Sequence, residues 1–217
     1  MKRIKRTFLS IAIIAGLIST ATPLYAQNDH HEATAGPTSI KVAQISAALR
    51  DLWLGHAFWV RNVVVETLAG NKAAATAAEN EVVANAKELA ASIEPFYGKA
   101  GADKLFSLLA GHYGAIKQHL EAVVTGNSKK EEAAMKAITD NVEEISVFLS
   151  GANPNLPHDA VQGLLLAHVG HHKQQIQQLH DKQYPQEAQT WDAMKKHMYV
   201  IADTLAGALA TQFPAKF

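Results

Sequence analysis

LWLGHAFWVR (residues 52–61) is followed 56 residues later by LLAGHYGAIK (108–117) and, after the same interval, by LLLAHVGHHK (164–173). The three segments share a leucine at the first position, a histidine at the fifth and a basic residue at the tenth. A fixed period of this length is typical of a repeated supersecondary unit. The sequence therefore predicts three tandem repeats, at about residues 46–101, 102–157 and 158–213.

The apolar residues inside each repeat follow the period of an α-helix. In the first repeat, Leu49, Leu52 and Val63 fall on one helical face. The pattern is interrupted at Gly70-Asn71 and again at Gly126-Asn127, where a helix can end and the chain can reverse. We predict an all-α fold, a six-helix bundle made of three αα-hairpins, with a short open α-solenoid as the alternative. The expected helices lie near residues 40–69, 73–94, 103–125, 129–150, 159–181 and 186–212.

The first 26 residues have the composition of a secretory signal peptide. Four basic residues precede an apolar run over 8–18, and Ala26 completes a small-residue cleavage pattern. We predict a signal peptide over 1–26, a flexible polar tail over 27–39, and one helical domain over 40–217. The expected location is the periplasm or the outside of the cell. No later segment has the roughly 20 apolar residues of a transmembrane helix, so no membrane association is expected after cleavage.

Composition narrows the functional classes. The chain has 20 basic and 20 acidic residues, and loss of the four basic residues of the signal leaves an excess of acidic groups. This balance argues against nucleic acid as a partner, because such binding needs a basic surface. The chain has no cysteine, which excludes disulfides and thiolate chemistry. It also lacks a phosphate-binding glycine loop and a nucleophile elbow, so an enzyme is less expected than a binding protein. A homo-oligomer remains open.

The repeated histidine lies on the apolar face of its helix in all three repeats, at His56, His112 and His168. Residues equidistant from the turn of an antiparallel hairpin lie at one height. This relation places Asn85 opposite His56, Asn141 opposite His112, and His197 opposite His168. The sequence therefore predicts a layer of six inward-facing polar side chains in the middle of the domain.

This layer has three possible roles. Each histidine can simply hydrogen-bond its opposing partner or a backbone carbonyl, as a buried imidazole requires. Alternatively, His56, His112, His168 and His197 can bind a transition metal or haem, since imidazole suits zinc, copper, nickel and iron. A small apolar ligand is the third possibility. His172 joins the candidate ligands because it stands four residues after His168, on the same helical face.

Four stretches carry a resemblance to a known group of proteins. They are LRDLWLGHAFWVRN (49–62), IEPFYGKAGADKL (93–105), FLSGANPNLP (148–157) and HMYVIADTLAGALATQFPAKF (197–217). Together they resemble a family of uncharacterised, often exported, all-helical bacterial proteins, for which no activity is established. In that family an acidic residue often precedes the repeated histidine, whereas this chain has Gly55, Gly111 and Ala167.

These observations favour an exported, non-catalytic helical protein with a binding or stress-related role. The candidate ligand is a transition metal or haem held by the mid-bundle histidines. One alternative is a metal-dependent enzyme that uses the same histidines with an open coordination position. The other is a structural scaffold whose histidines and asparagines only hydrogen-bond one another.

Overall fold

The computed structural model describes residues 39–217, and this part of the chain is all-helical. It contains α1 (Ile40–Leu68), α2 (Lys72–Val124), α3 (Ser128–Ala152), α4 (His158–His180) and α5 (Tyr184–Gln212), followed by a short 3₁₀-helix (Pro214–Lys216). The predicted signal peptide over 1–26, and the predicted tail up to residue 38, lie outside the described residues. None of the helices within 39–217 has both the length and the apolar character needed to cross a membrane.

The Gly-Asn pairs form the turns between helices. Gly70 and Gly126 adopt φ values of 73° and 64°, a left-handed conformation that favours glycine after a helix end. Asn71 then caps α2 by accepting a hydrogen bond from Ala74 N at 3.3 Å, and Asn127 caps α3 through Lys130 N at 3.1 Å. Each pair thus ends one helix and begins the next.

Helix α2 folds back on itself at Gly98, which has φ 71° and ψ 175° and is the non-helical residue inside it. Asn85 donates a hydrogen bond to the carbonyl of Leu52 in α1, and the ring of His112 lies 6.4 Å from that of His56. A straight helix would separate Asn85 from His112 by roughly 40 Å. Two helical arms, one on either side of Gly98, therefore make up α2, at the places where helices were predicted at 73–94 and 103–125. Residues 39–217 contain five α-helical elements when these two arms are counted as one.

Two buried apolar clusters make up the core. One contains Val60 and Ile116 with residues of α3 and α4, and the other contains Leu49 and Leu109 with residues of α5. Along α1 and α2, His56 and His112 lie where one cluster gives way to the other. The histidines therefore form a polar layer inside the apolar core.

A buried ion pair holds three helices together beside this layer. Arg61 of α1 donates two hydrogen bonds to Glu187 of α5, at 2.6 and 2.7 Å. Gln175 of α4 donates a third bond to Glu187, at 3.0 Å. Glu187 is only 3% exposed, so these three donors replace the water that its carboxylate loses on folding.

Candidate metal centre

Four histidine side chains from three helices meet in the middle of the domain. The ring of His168 lies 5.5 Å from that of His56, 5.8 Å from that of His112 and 4.4 Å from that of His172. The ring of His56 lies 5.8 Å from that of His172. All four side chains are at most 5% exposed. The structure therefore brings together four of the five histidines that the sequence marked as candidate ligands.

The helical period explains how these residues reach one place. His56 on α1 and His112 on α2 occupy equivalent inward positions of helices that pack side by side. His168 and His172 are one turn apart on α4, so both rings emerge from the same face. Their Nε2 atoms are 3.1 Å apart. Since a hydrogen bond between them needs one donor and one acceptor, at least one of these two nitrogens carries a lone pair.

Burial keeps the four histidines neutral. It lowers the pKa of His56 to about 3, with a further decrease from the nearby His112. It lowers the pKa of His112 to about 4, against an opposing effect of the hydrogen bond to Asn141. The pKa values of His168 and His172 also fall well below the usual range, because of burial first and then repulsion by neighbouring histidines. Neutral imidazole is the form that binds a metal, so no proton has to leave at neutral pH.

Three of the rings have the arrangement of a metal-ligand set. His56, His168 and His172 each offer a ring nitrogen, and these nitrogens all lie within 4.8 Å of one another. Metal–nitrogen bonds of 2.0–2.1 Å in a tetrahedral site imply nitrogens about 3.4 Å apart. The pair on α4, with nitrogens 3.1 Å apart, is close to this spacing, and the His56 ring would have to approach the pair to complete the set. No carboxylate belongs to this group of described residues, so its ligands carry no charge.

His112 is held by Asn141 in one defined tautomer. Asn141 Nδ2 donates to the carbonyl of Leu108 at 3.0 Å, which leaves its Oδ1 as an acceptor 3.1 Å from His112 Nδ1. His112 Nδ1 must therefore carry the proton, and Nε2 must carry the lone pair. This Nε2 is buried and has no hydrogen-bond partner. Metal-bound histidines commonly have their second nitrogen fixed in this way.

His56 and Asn85 do not form the corresponding bond. Asn85 Nδ2 donates to the carbonyl of Leu52 at 3.0 Å, as Asn141 does to Leu108, but Asn85 Oδ1 is buried without a partner. Of the two predicted His–Asn pairs, His112 and Asn141 are hydrogen-bonded, and His56 and Asn85 are not. The His56 ring instead lies near the rings of His168 and His172.

The glycine before each of these histidines makes the asparagine contact possible. A Cβ atom at Gly55 would stand 3.1 Å from Asn85 Nδ2, and one at Gly111 would stand 3.2 Å from Asn141 Nδ2. Both distances are too short for comfortable packing. Gly55 and Gly111 let the amide reach the helix backbone, and the Gly-His dipeptide was the signal of this contact in the sequence.

His197 lies apart from the four clustered rings. Its Nε2 hydrogen-bonds the carbonyl of Leu164 at 2.8 Å, and its nearest ring is that of His171, 5.5 Å away. Nε2 donates to this carbonyl, so the lone pair of His197 is on Nδ1. His197 is not among the residues whose ring nitrogens lie within 4.8 Å of one another, although the sequence grouped it with the other four.

A cavity of about 50 Å³ adjoins the histidines. His56, His112 and His168 line it on one side, and leucine, isoleucine and phenylalanine side chains form most of the remaining wall. Its far end lies near Tyr97 and Asn153. Asn153 Nδ2 donates to the Tyr97 hydroxyl at 3.0 Å, and that hydroxyl donates to Gln212 Oε1 at 2.7 Å. The histidine group thus borders an apolar space.

Comparison of the chain with protein-family models, with curated proteins and with solved structures finds no match.

Proposed function

We propose that this protein binds a single transition-metal ion through His56, His168 and His172. The observation that carries the proposal is that three buried, neutral imidazoles from two helices converge with their ring nitrogens within 4.8 Å. Isolated buried histidines ordinarily pair with polar neighbours. In this group the nearest polar neighbours are other histidines, and His168 Nδ1 is left without a partner.

The size of the available space favours a bare ion over haem. Sites for organic cofactors typically enclose 300–1,000 Å³, whereas the cavity beside the histidines measures about 50 Å³. A haem would require the helices to separate and the core to be rebuilt. Zinc, copper, nickel and iron remain the candidates, because all of them accept imidazole ligands.

The role of the ion is binding, with catalysis as the alternative. Three protein ligands leave a fourth position, which is the arrangement of catalytic zinc sites. However, no carboxylate belongs to the His56, His168 and His172 group among residues 39–217. The available general base for a metal-bound water is then the lone pair of His112 Nε2, and burial, which lowers the pKa of His112 to about 4, makes it a weak one. We therefore assign the protein to metal binding or to a stress-related role, in the periplasm or outside the cell as the N-terminal sequence suggests.

The bundle itself is proposed to consist of three repeated αα-hairpins. Three equivalent contacts support this view. Asn85 bonds the carbonyl of Leu52, Asn141 bonds that of Leu108, and His197 bonds that of Leu164. Each donor lies 33 residues after its acceptor. Two repeats thus have an asparagine at this position, and the third has His197.

Metal titration of the untagged protein tests the proposal. Protein stripped with a chelator should bind one equivalent of zinc or copper, measured by elemental analysis after gel filtration. His168→Ala and His172→Ala should each reduce the affinity by at least about 100-fold, beyond the 10- to 100-fold typical of an outer-shell loss.

His180→Ala provides the matched control. His180 lies on the same helix, is exposed, and pairs with Asp181 at 2.8 Å. This variant should bind metal like the parent. Equal metal content in all four proteins, or none in any of them despite an intact helical spectrum, would refute the metal site and leave the hydrogen-bonded scaffold.

A further inference from the structure

The cavity beside the histidines gives the proposed metal a specific kind of additional ligand. We infer that an uncharged diatomic molecule enters this cavity and binds the open coordination position of the ion held by His56, His168 and His172. The inference rests on the proposed metal site and adds the chemical class of the ligand. Dioxygen, nitric oxide and carbon monoxide share this size and neutrality.

The position of the cavity supports the inference. His56 and His168 belong both to the ligand group and to the cavity wall. Leu49 and Leu105, which also line it, each lie seven residues before a cavity histidine on the same helix. Seven residues correspond to about 10 Å of helical rise. The cavity therefore runs from the histidine layer along the bundle, and a ligand at its histidine end would lie beside two of the three proposed metal ligands.

The size of the cavity limits what can occupy it. About 50 Å³ exceeds the 10–15 Å³ that one water needs, but it is well below the 150 Å³ of an engineered cavity that takes benzene. A molecule of two heavy atoms fits within these limits. Larger organic ligands do not fit.

The lining determines the polarity of the ligand. Water needs two to four polar partners in a buried site, and the walls between the histidines and Tyr97 are apolar side chains such as Leu109, Leu165 and Leu209. An anion would have to give up its hydration for these walls. His112 and Trp53 also line the cavity, and two partnerless polar atoms, His112 Nε2 and Trp53 Nε1, belong to them. A neutral molecule with a weakly polar bond meets these conditions.

Carbon monoxide binding to the copper(I)-loaded protein tests the inference. Under anaerobic conditions the infrared C–O stretch should report one bound molecule per copper, and azide should not compete. Leu109→Phe and Leu209→Phe narrow the cavity from two different helices without altering a proposed ligand. Each should lower the carbon monoxide affinity by at least about tenfold while copper still binds.

Leu120→Phe is the matched control, because Leu120 is a buried leucine of α2 that does not line the cavity. It should leave the carbon monoxide affinity unchanged. Copper binding without carbon monoxide binding, or equal affinity in the narrowed variants and the parent, would overturn the inference while the metal site stands. Failure to bind copper or any other ion would overturn both. Xenon bound to the metal-free parent and excluded from the narrowed variants would support the cavity independently.

Discussion

His56 and His112 occupy equivalent positions in two repeats, yet their surroundings differ. His112 donates to Asn141 Oδ1 at 3.1 Å, so its tautomer is fixed. The asparagine that corresponds to Asn141 in the first repeat is Asn85, and its Oδ1 has no hydrogen-bond partner. The His56 ring instead lies 5.5 Å from that of His168. The same local sequence thus places His112 against an amide and His56 among other imidazoles. What decides between them is the helix that packs opposite.

The neighbour that makes the difference is α4. It contributes His168 and His172 one turn apart, and both rings approach His56, whereas only His168 has its ring near His112. His168 and His172 of α4 thus place the His56 ring in the proposed ligand set, while His112 stays bonded to Asn141. The following experiments test this contrast between His56 and His112.

Acid should have the largest effect, and it should act on both histidines. The folded-state pKa values of about 3 for His56 and about 4 for His112 lie below the usual 6.5, so the unfolded chain takes up protons first. Stability is therefore fully present above pH 6.5 and is lost as the pH falls toward the folded values. Between its folded and unfolded pKa values, each such histidine lowers the free energy of unfolding by about 1.4 kcal/mol for each pH unit of acidification. The four together lower it by on the order of 5 kcal/mol per pH unit.

Urea unfolding of the metal-free protein between pH 7 and pH 5 measures this slope. His56→Gln and His112→Gln should each reduce the dependence of the unfolding free energy on pH by the equivalent of about one proton. A stability independent of pH in this range would mean that the histidines are not buried as a group.

Metal affinity should separate the two histidines. His56→Gln should weaken metal binding by at least about 100-fold, because it removes one of three proposed ligands. His112→Gln should change the affinity by less than about tenfold, since His112 lies outside the group of three. Competition with a chromophoric chelator measures both constants. Equal losses in the two variants would show that His112 is a fourth ligand.

The asparagines should differ in their contribution to stability. Asn141→Ala removes the acceptor of His112 Nδ1 and leaves a buried donor unpaired, at a cost of about 2 kcal/mol in the metal-free protein. Asn85→Ala should cost about 1 kcal/mol, because Asn85 Oδ1 already lacks a partner. Chemical denaturation of both variants measures the difference. If metal orients His56 toward Asn85, the two costs should converge in the metal-loaded protein, and a reversed order in the metal-free protein would contradict the hydrogen-bond assignments.

The glycine substitutions should have the smallest effects. Gly114→Ala should stabilise the protein by about 0.5–1 kcal/mol, because Gly114 lies inside α2 and a Cβ there meets nothing within 4 Å. Gly111→Ala should not show this gain, because its Cβ would lie 3.2 Å from Asn141 Nδ2. Thermal melting of the two variants compares them. A gain of equal size at Gly111 would show that the close approach of Asn141 carries no strain.

The helical class and the inward direction of the repeated histidines were accessible from the sequence. Apolar spacing around Leu49 and Val63 predicts helices, and turn symmetry predicts Asn141 beside His112. The tightness of the reversal inside α2 was not accessible. The sequence predicted a gap between the helices at 73–94 and 103–125, whereas Gly98 is the residue inside α2 with non-helical backbone angles.

The separation of His197 from the ligand group was also beyond the sequence. Its height along the bundle was predicted, but the rotation of its ring depends on which neighbour offers an acceptor, and the Leu164 carbonyl does so. The ion pair of Arg61 with Glu187 was not predicted either, because the two residues are 126 positions apart in the chain and meet only when their helices pack. The height of a residue along the bundle follows from helix geometry, whereas the partner of its side chain depends on how the helices pack in three dimensions.

The hydrogen bond between Tyr97 and Gln212 bears on how the protein folds. It joins positions 115 residues apart and helps to close the far end of the cavity. Lys216 reinforces this end by donating to the carbonyl of Pro95 at 2.6 Å. Contacts of such long range raise the contact order of a fold and slow its folding, because the entropy of closing a long loop is lost before the contact forms. The docking of residues 212–216 against the segment around Pro95 and Tyr97 is therefore expected to be a slow step in folding.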